Sequence, residues 1–173
     1  MTTDKKVKDY MIPLADYPHV KASETLHDAI ATLLTQITTG REGSLDYGML
    51  LVLNDRNQLV GSLRIADVLR GLGPGLFGEG AQKFEGLKAE LPNLAVLWEE
   101  TFFKDCKGHG SRVVKDFVTP FQTLVKADDP ILKAVHIMMT KHMTSVPAVE
   151  GDKVIGVVRL KELFVAICEM CSL

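Results

Sequence analysis

The chain has 173 residues, 22 Asp and Glu against 20 Lys and Arg, and a formal charge of −2. That balance gives no overall attraction for nucleic acid or an acidic membrane surface. Hydrophobic residues at 46% and charged residues at 24% match a globular protein, and no apolar run nears the roughly 18 residues of a membrane span. At this length about 70% of the unfolded surface can be buried, so no metal or disulfide staple is needed. The polar start Met1–Lys6 lacks a signal-peptide apolar core, which predicts a cytoplasmic protein. Three cysteines, an odd count, argue against a disulfide framework.

In chain order, the stretch Val7-Lys8-Asp9-Tyr10-Met11-Ile12-Pro13 precedes a short extended segment, Val20-Lys21-Ala22. A helix follows, with Ser23 as the expected N-cap and Leu26, Ala29, Ile30, Leu33, Leu34 and Ile37 at helical spacing. Thr38–Gly48 reads as a loop or frayed helix end. Strands are expected at Met49–Leu53 and Gln58–Leu63, joined by the turn Asn54-Asp55-Arg56-Asn57. A helix over Ile65–Leu72 runs into Gly71–Gly86, whose six glycines predict flexible or irregular chain. Pro92–Cys106 reads as a helix with Leu94, Trp98 and Phe102 on one side.

The same series then recurs. Val114-Lys115-Asp116-Phe117-Val118-Thr119-Pro120 matches the opening, and Val125-Lys126-Ala127 matches the extended segment. A helix is expected to be capped by Asp129, with Pro130 in its first turn and Ile131, Ala134, Val135, Met138 and Met139 as its stripe. Strands Ser145–Val149 and Lys153–Val158 precede a closing helix, Leu160–Met170. The best-matched stretch is Leu59-Val60-Gly61-Ser62-Leu63-Arg64-Ile65-Ala66-Asp67 against Val154-Ile155-Gly156-Val157-Val158-Arg159-Leu160-Lys161-Glu162, offset by 95 residues. The fold class is therefore α+β, a β-α-β-β-α unit present twice. Ser23 to Gly61 spans 38 positions and Asp128 to Gly156 spans 28, so the first copy carries ten extra residues, placed in Thr38–Gly48.

An Arg just before a helix is unusual where Ser, Thr, Asp or Asn normally caps. In one reading Arg64 and Arg159 add a guanidinium fork to a helix start already suited to anions. In the other each pairs with its own acid three residues on, Asp67 or Glu162, and needs no ligand. The Cys168-x-x-Cys171 pair lies on the apolar side of the last helix and reads as packing, since a zinc site lacks a second ligand pair. Trp98 and Phe102 read as packing rather than base stacking. No pattern of nucleophile and base supports an enzyme.

The doubled unit resembles a tandem pair of cystathionine-β-synthase (CBS) domains. The family's opening motif is matched by Val7–Pro13 and Val114–Pro120. Its S-x-x-P-V is approximated by Thr144-Ser145-Val146-Pro147-Ala148-Val149, and its G-h-h-T-x-x-D (h apolar) by Gly61–Asp67 and Gly156–Glu162. The resemblance implies CBS units at 5–70 and 113–171, with a helical linker at 71–112, packed sheet to sheet with pseudo-twofold symmetry around two clefts. It further implies a regulatory, non-catalytic module. Its ligand would be an adenosine nucleotide (AMP, ADP or ATP) or S-adenosylmethionine, and it would act on a separate partner protein as a homodimer. No cofactor, nucleic acid or membrane is implied. The ligand residues implied are Gly61, Arg64, Asp67, Thr144, Ser145, Pro147, Gly156, Arg159 and Glu162. Asp67 would hold ribose hydroxyls, Gly61 would admit ligand to the strand end, and Thr38–Gly48 would close over the first cleft. Arg replaces the family's Thr in both copies, and Leu50-Leu51-Val52 stands where the second copy has Val146-Pro147-Ala148. The alternative is a degenerate pair serving as a ligand-free dimerisation scaffold.

Overall fold

The structure is a computed structural model that describes residues 5–39, 48–77, 99 and 102–172. Strands are β1 (Ile12–Pro13), β2 (His19–Lys21), β3 (Met49–Leu53), β4 (Leu59–Arg64), β5 (Val125–Lys126), β6 (Ser145–Glu150) and β7 (Lys153–Arg159). Helices are α1 (Leu26–Thr39), α2 (Ile65–Leu72), α3 (Pro74–Phe77), α4 (residues 102–109), α5 (Ile131–Lys141) and α6 (Leu160–Cys171). Each copy of the repeat also contains a short 3-10 turn, Val7–Asp9 and Val114–Phe117.

One sheet has the order β2-β3-β4 and the other β1-β7-β6-β5. In each, a short strand pairs in parallel with the first hairpin strand, β2 with β3 and β5 with β6, and the hairpin is antiparallel. The crossover between parallel strands is the helix α1 or α5, as such a connection requires. Both hairpins slip register at matching places, between Val52 and Leu53 and between Ala148 and Val149.

All five residues of β3 are buried, and the reason is a sheet covered on both faces. Leu50 and Val52 join Leu26, Ala29, Leu33 and Val68 under the helices of the first unit. Met49 and Leu51 point the other way and meet Tyr17, Val154 and Val157 between the two sheets. The second unit repeats the arrangement with Ile131, Ala134, Met138, Val146, Val158 and Leu163.

The openings of the two copies are exchanged. Val7 is fully buried in the core of the second unit and Val114 in that of the first. The Val7 and Lys8 amides donate to the Asp129 and Ala127 carbonyls, both at 2.9 Å. Their counterparts, Val114 and Lys115, donate to Glu24 and Ala22 at 2.8 and 3.0 Å. Strand β1 then pairs with β7, Ile12 opposite Val157 and Pro13 opposite Gly156, while Thr119 bridges to Ser62 on β4. Each opening thus packs in the core of the other copy.

Several local expectations change. Ser23 does not cap α1; Thr25 does, its Oγ1 accepting the Asp28 amide at 3.2 Å while the Asp28 carboxylate accepts the Thr25 amide at 3.0 Å. Asp129 does not cap α5, whose N-cap is Pro130; its carboxylate accepts from the Lys126 amide and from Lys133 Nζ, both at 2.9 Å. Within the glycine-rich chain expected to be irregular, Pro74–Phe77 forms the short helix α3. Residues 78–86, Leu94, Trp98 and the bulk of the ten-residue insertion lie outside the described residues. Of the expected linker helix, α4 is described, and it docks. Phe102 meets Phe77 edge to face with centroids 5.9 Å apart, and His109 Nδ1 donates to the Leu72 carbonyl at 2.9 Å.

Candidate functional site

Helix α2 begins where β4 ends, and its start shows what the repeated Arg and acid do. The Arg64 side chain does not cap the helix; instead the Asp67 carboxylate accepts the Arg64 amide at 2.9 Å. The Ile65 amide donates to the Gly48 carbonyl at 3.2 Å, as the Leu160 amide does to Thr144 at 2.8 Å. An acid in the first turn thus closes the helix end while also suiting the dipole.

The two copies then diverge. Asp67 is buried, and its other oxygen takes Arg70 Nη1 at 2.7 Å and the Thr119 hydroxyl at 3.5 Å. Arg64 is left exposed, with no acid beside its guanidinium among the described residues. Arg159 instead folds onto Glu162, donating from Nε at 2.9 Å and also from Nη2. The pairing reading therefore holds for the second copy and fails for the first.

Arg64 opens onto a cleft of about 890 Å³ between the two units, within the range of small-molecule sites. The first unit contributes Tyr17, Gly48, Met49, Ser62 and Arg64. The chain leading from the exchanged opening to β5 contributes Thr119–Thr123, and the end of α5 and start of β6 contribute Thr140–Ser145. Thr144 and Ser145 thus line the same cleft as Arg64.

The rest of the expected set is elsewhere. Arg159 lines a separate hollow of about 520 Å³ with Val135, Met139, Thr144, Ser145, Leu160 and Phe164, on the helical face of the second unit. Pro147 is buried in β6 opposite Val157. Glu162 is occupied by Arg159. Asp67 is buried, already accepts from Arg64, Arg70 and Thr119, and is not among the residues lining the cleft. Gly61 and Gly156 do not admit a ligand: a β-carbon there would strike the Thr119 and Ile12 carbonyl oxygens of the exchanged openings. Phe102 meets Phe77 and lies away from the cleft.

Reading the sequence missed Tyr17, Phe121, Thr123, Lys141 and His142. Their only signal was position, just after an opening motif or at the end of a helix. Lys141 Nζ donates to Thr123 Oγ1 at 2.5 Å, and His142 ends α5 in the left-handed conformation (φ 53°). Among the described residues no group of three His, Cys, Asp or Glu could hold a metal, and no helix is long and apolar enough to cross a membrane.

A family model for the CBS domain matches residues 7–73 and 114–169. No curated protein matches the sequence. Among solved structures, the CBS-pair protein CBSX2 from Arabidopsis thaliana is 21% identical, with 97% of each chain covered and a TM-score of 0.65. CBSX2 in complex with AMP is 20% identical over 96% of this chain and 98% of that one, TM-score 0.63. The cytosolic domain of the Mg2+ channel MgtE in complex with ATP is 14% identical over 94% of this chain and 49% of that one, TM-score 0.60. At these identities the likeness is one of fold.

Proposed function

This chain belongs to the CBS domain family, and on that footing we propose that it is a non-catalytic regulatory module. It binds an adenosine nucleotide in the cleft at Arg64 and signals to a separate partner protein, as a homodimer. The carrying observation is Arg64, an exposed cation without an acid partner among the described residues, on an inter-unit cleft that it shares with Thr144 and Ser145. Two proteins of the same fold, crystallised with AMP and with ATP, support the ligand class. Phe121, half-buried on the same cleft, supplies aromatic surface for a base. The phosphate falls to Arg64, whose planar fork suits phosphate oxygens.

The second reading is a ligand-free dimerisation scaffold. It is favoured by Asp67, whose carboxylate is committed to Arg64, Arg70 and Thr119. A thermal melt separates the two. Ligand at about 100 times its Kd adds about 2.7 kcal/mol, and for a chain of this size that raises Tm by about 5–10 °C. We expect such a rise with adenine nucleotides and none with guanine nucleotides at equal concentration. Arg64→Ala should remove most of the advantage of AMP over adenosine. Unchanged melting at millimolar nucleotide would leave the scaffold reading in possession.

A further inference from the structure

Acids outnumber Lys and Arg in this chain, yet among the described residues no Asp or Glu lines the cleft at Arg64. Instead it carries three nitrogen-bearing side chains that can hold positive charge: Arg64 from the first unit, and Lys141 and His142 from the end of α5. Lys141 is held by the Thr123 hydroxyl at 2.5 Å, which leaves further ammonium protons to donate. His142 ends α5 in the left-handed conformation common at helix C-termini, as Ser172 does at the end of α6. In the hollow at Arg159, by contrast, the guanidinium is already matched by Glu162.

We infer that Lys141 and His142 form a second anion anchor in this cleft, so that it takes a nucleoside di- or triphosphate in preference to a monophosphate. The inference rests on the nucleotide reading above and specifies it. Arg64 answers a first phosphate; Lys141 and His142, at the carbonyl end of α5, are matched there only by partial charge, and a longer phosphate tail brings them a full one. The volume, about 890 Å³, stands near the top of the range for small-molecule sites and leaves room for a phosphate tail. The same charge selects against S-adenosylmethionine, whose sulfonium is a cation.

Calorimetry on the intact protein tests this. The ligands are ATP, ADP, AMP, adenosine, S-adenosylmethionine and inorganic tripolyphosphate, with a chelator present so that the phosphates keep their charge. ATP should bind about tenfold or more tighter than AMP, as one or two charge-assisted hydrogen bonds would give. Lys141→Gln should lower ATP affinity by about tenfold while AMP stays within about twofold. His142→Asn, which tolerates the left-handed backbone, should lower ATP affinity in the same sense. Equal binding of ATP and AMP would overturn the inference and leave the nucleotide reading standing. So would a Lys141→Gln loss shared equally by both ligands, or S-adenosylmethionine binding as tightly as ATP. Tripolyphosphate binding that Lys141→Gln weakens, without any binding of adenosine compounds, would support the anchor and sink the nucleotide reading. Binding of nothing would sink both.

Discussion

At Gly61 and Gly156 the hydrogen in place of a side chain lets one backbone cross another. Thr119 passes over the first and Ile12 over the second. Replacing either by Ala forces main chain against main chain, which cannot swing aside as a side chain can, so each substitution should cost about 1–3 kcal/mol. Gly108 gives the control. It lies within α4 with open space where its β-carbon would be, so Gly108→Ala should stabilise by about 0.5–1 kcal/mol. Urea denaturation of the three variants checks both signs, and a neutral Gly61→Ala would refute the crossing. In sequence these glycines announced close approach, read there as approach by a ligand, whereas the crossing partner is main chain. The approaching chain is 58 residues from Gly61 and 144 from Gly156, and no local pattern carries such a distance. Asp67 is similar. Its place three residues after Arg64 made it legible as a first-turn acid, whereas its further bonds to Arg70 and Thr119 depend on tertiary packing.

Helix starts in this protein lean on a recurring device, a carboxylate that accepts the amide three residues before it. Thr25 and Asp28 make its complete form at the start of α1. Thr25→Ala should therefore cost about 1 kcal/mol at neutral pH. The Thr25 hydroxyl, and then its amide, hold the Asp28 carboxyl below the usual 3.8. Because the folded value is the depressed one, this contribution is complete above 3.8 and is lost as pH falls through the folded value. The gap between wild type and Thr25→Ala should accordingly narrow in acid, which denaturation at about pH 7 and about pH 3 would show. A gap of constant size would mean that the carboxylate plays no part. At this scale the sequence served well for hairpins and closing helices, where apolar runs and turn residues agree; α2 keeps its expected bounds, Ile65–Leu72. It failed at β1, two residues long, whose strand character exists only through β7. It also failed at Ser23, because Thr25 stands closer to the helix and has Asp28 in register.

The molecule leaves apolar surface bare at repeat-matched places. Leu34 and Met139 correspond in α1 and α5, and Leu69 and Phe164 in α2 and α6; all four are exposed, Phe164 at 64%. A helix as apolar as α6, with Leu163 and Ala166 already buried inward, has more such surface than its own unit covers. A second copy is the cover we propose. Wild type should sediment as a dimer at micromolar concentration and Phe164→Asp as a folded monomer. A monomeric wild type would end the proposal. The excess was readable from α6 alone, but the matching positions on α1 and α2 needed the fold. The exchange of openings has its own consequence for how such a molecule can be assembled. A lone copy of the repeat would have an empty groove where a valine belongs, and a loose end shaped for that same groove. It could complete itself only against another such copy, each lending its end to the other. The tandem chain is, in form, that reciprocal pair written as a single polypeptide, with the partner supplied at the fixed local concentration that a covalent tether sets.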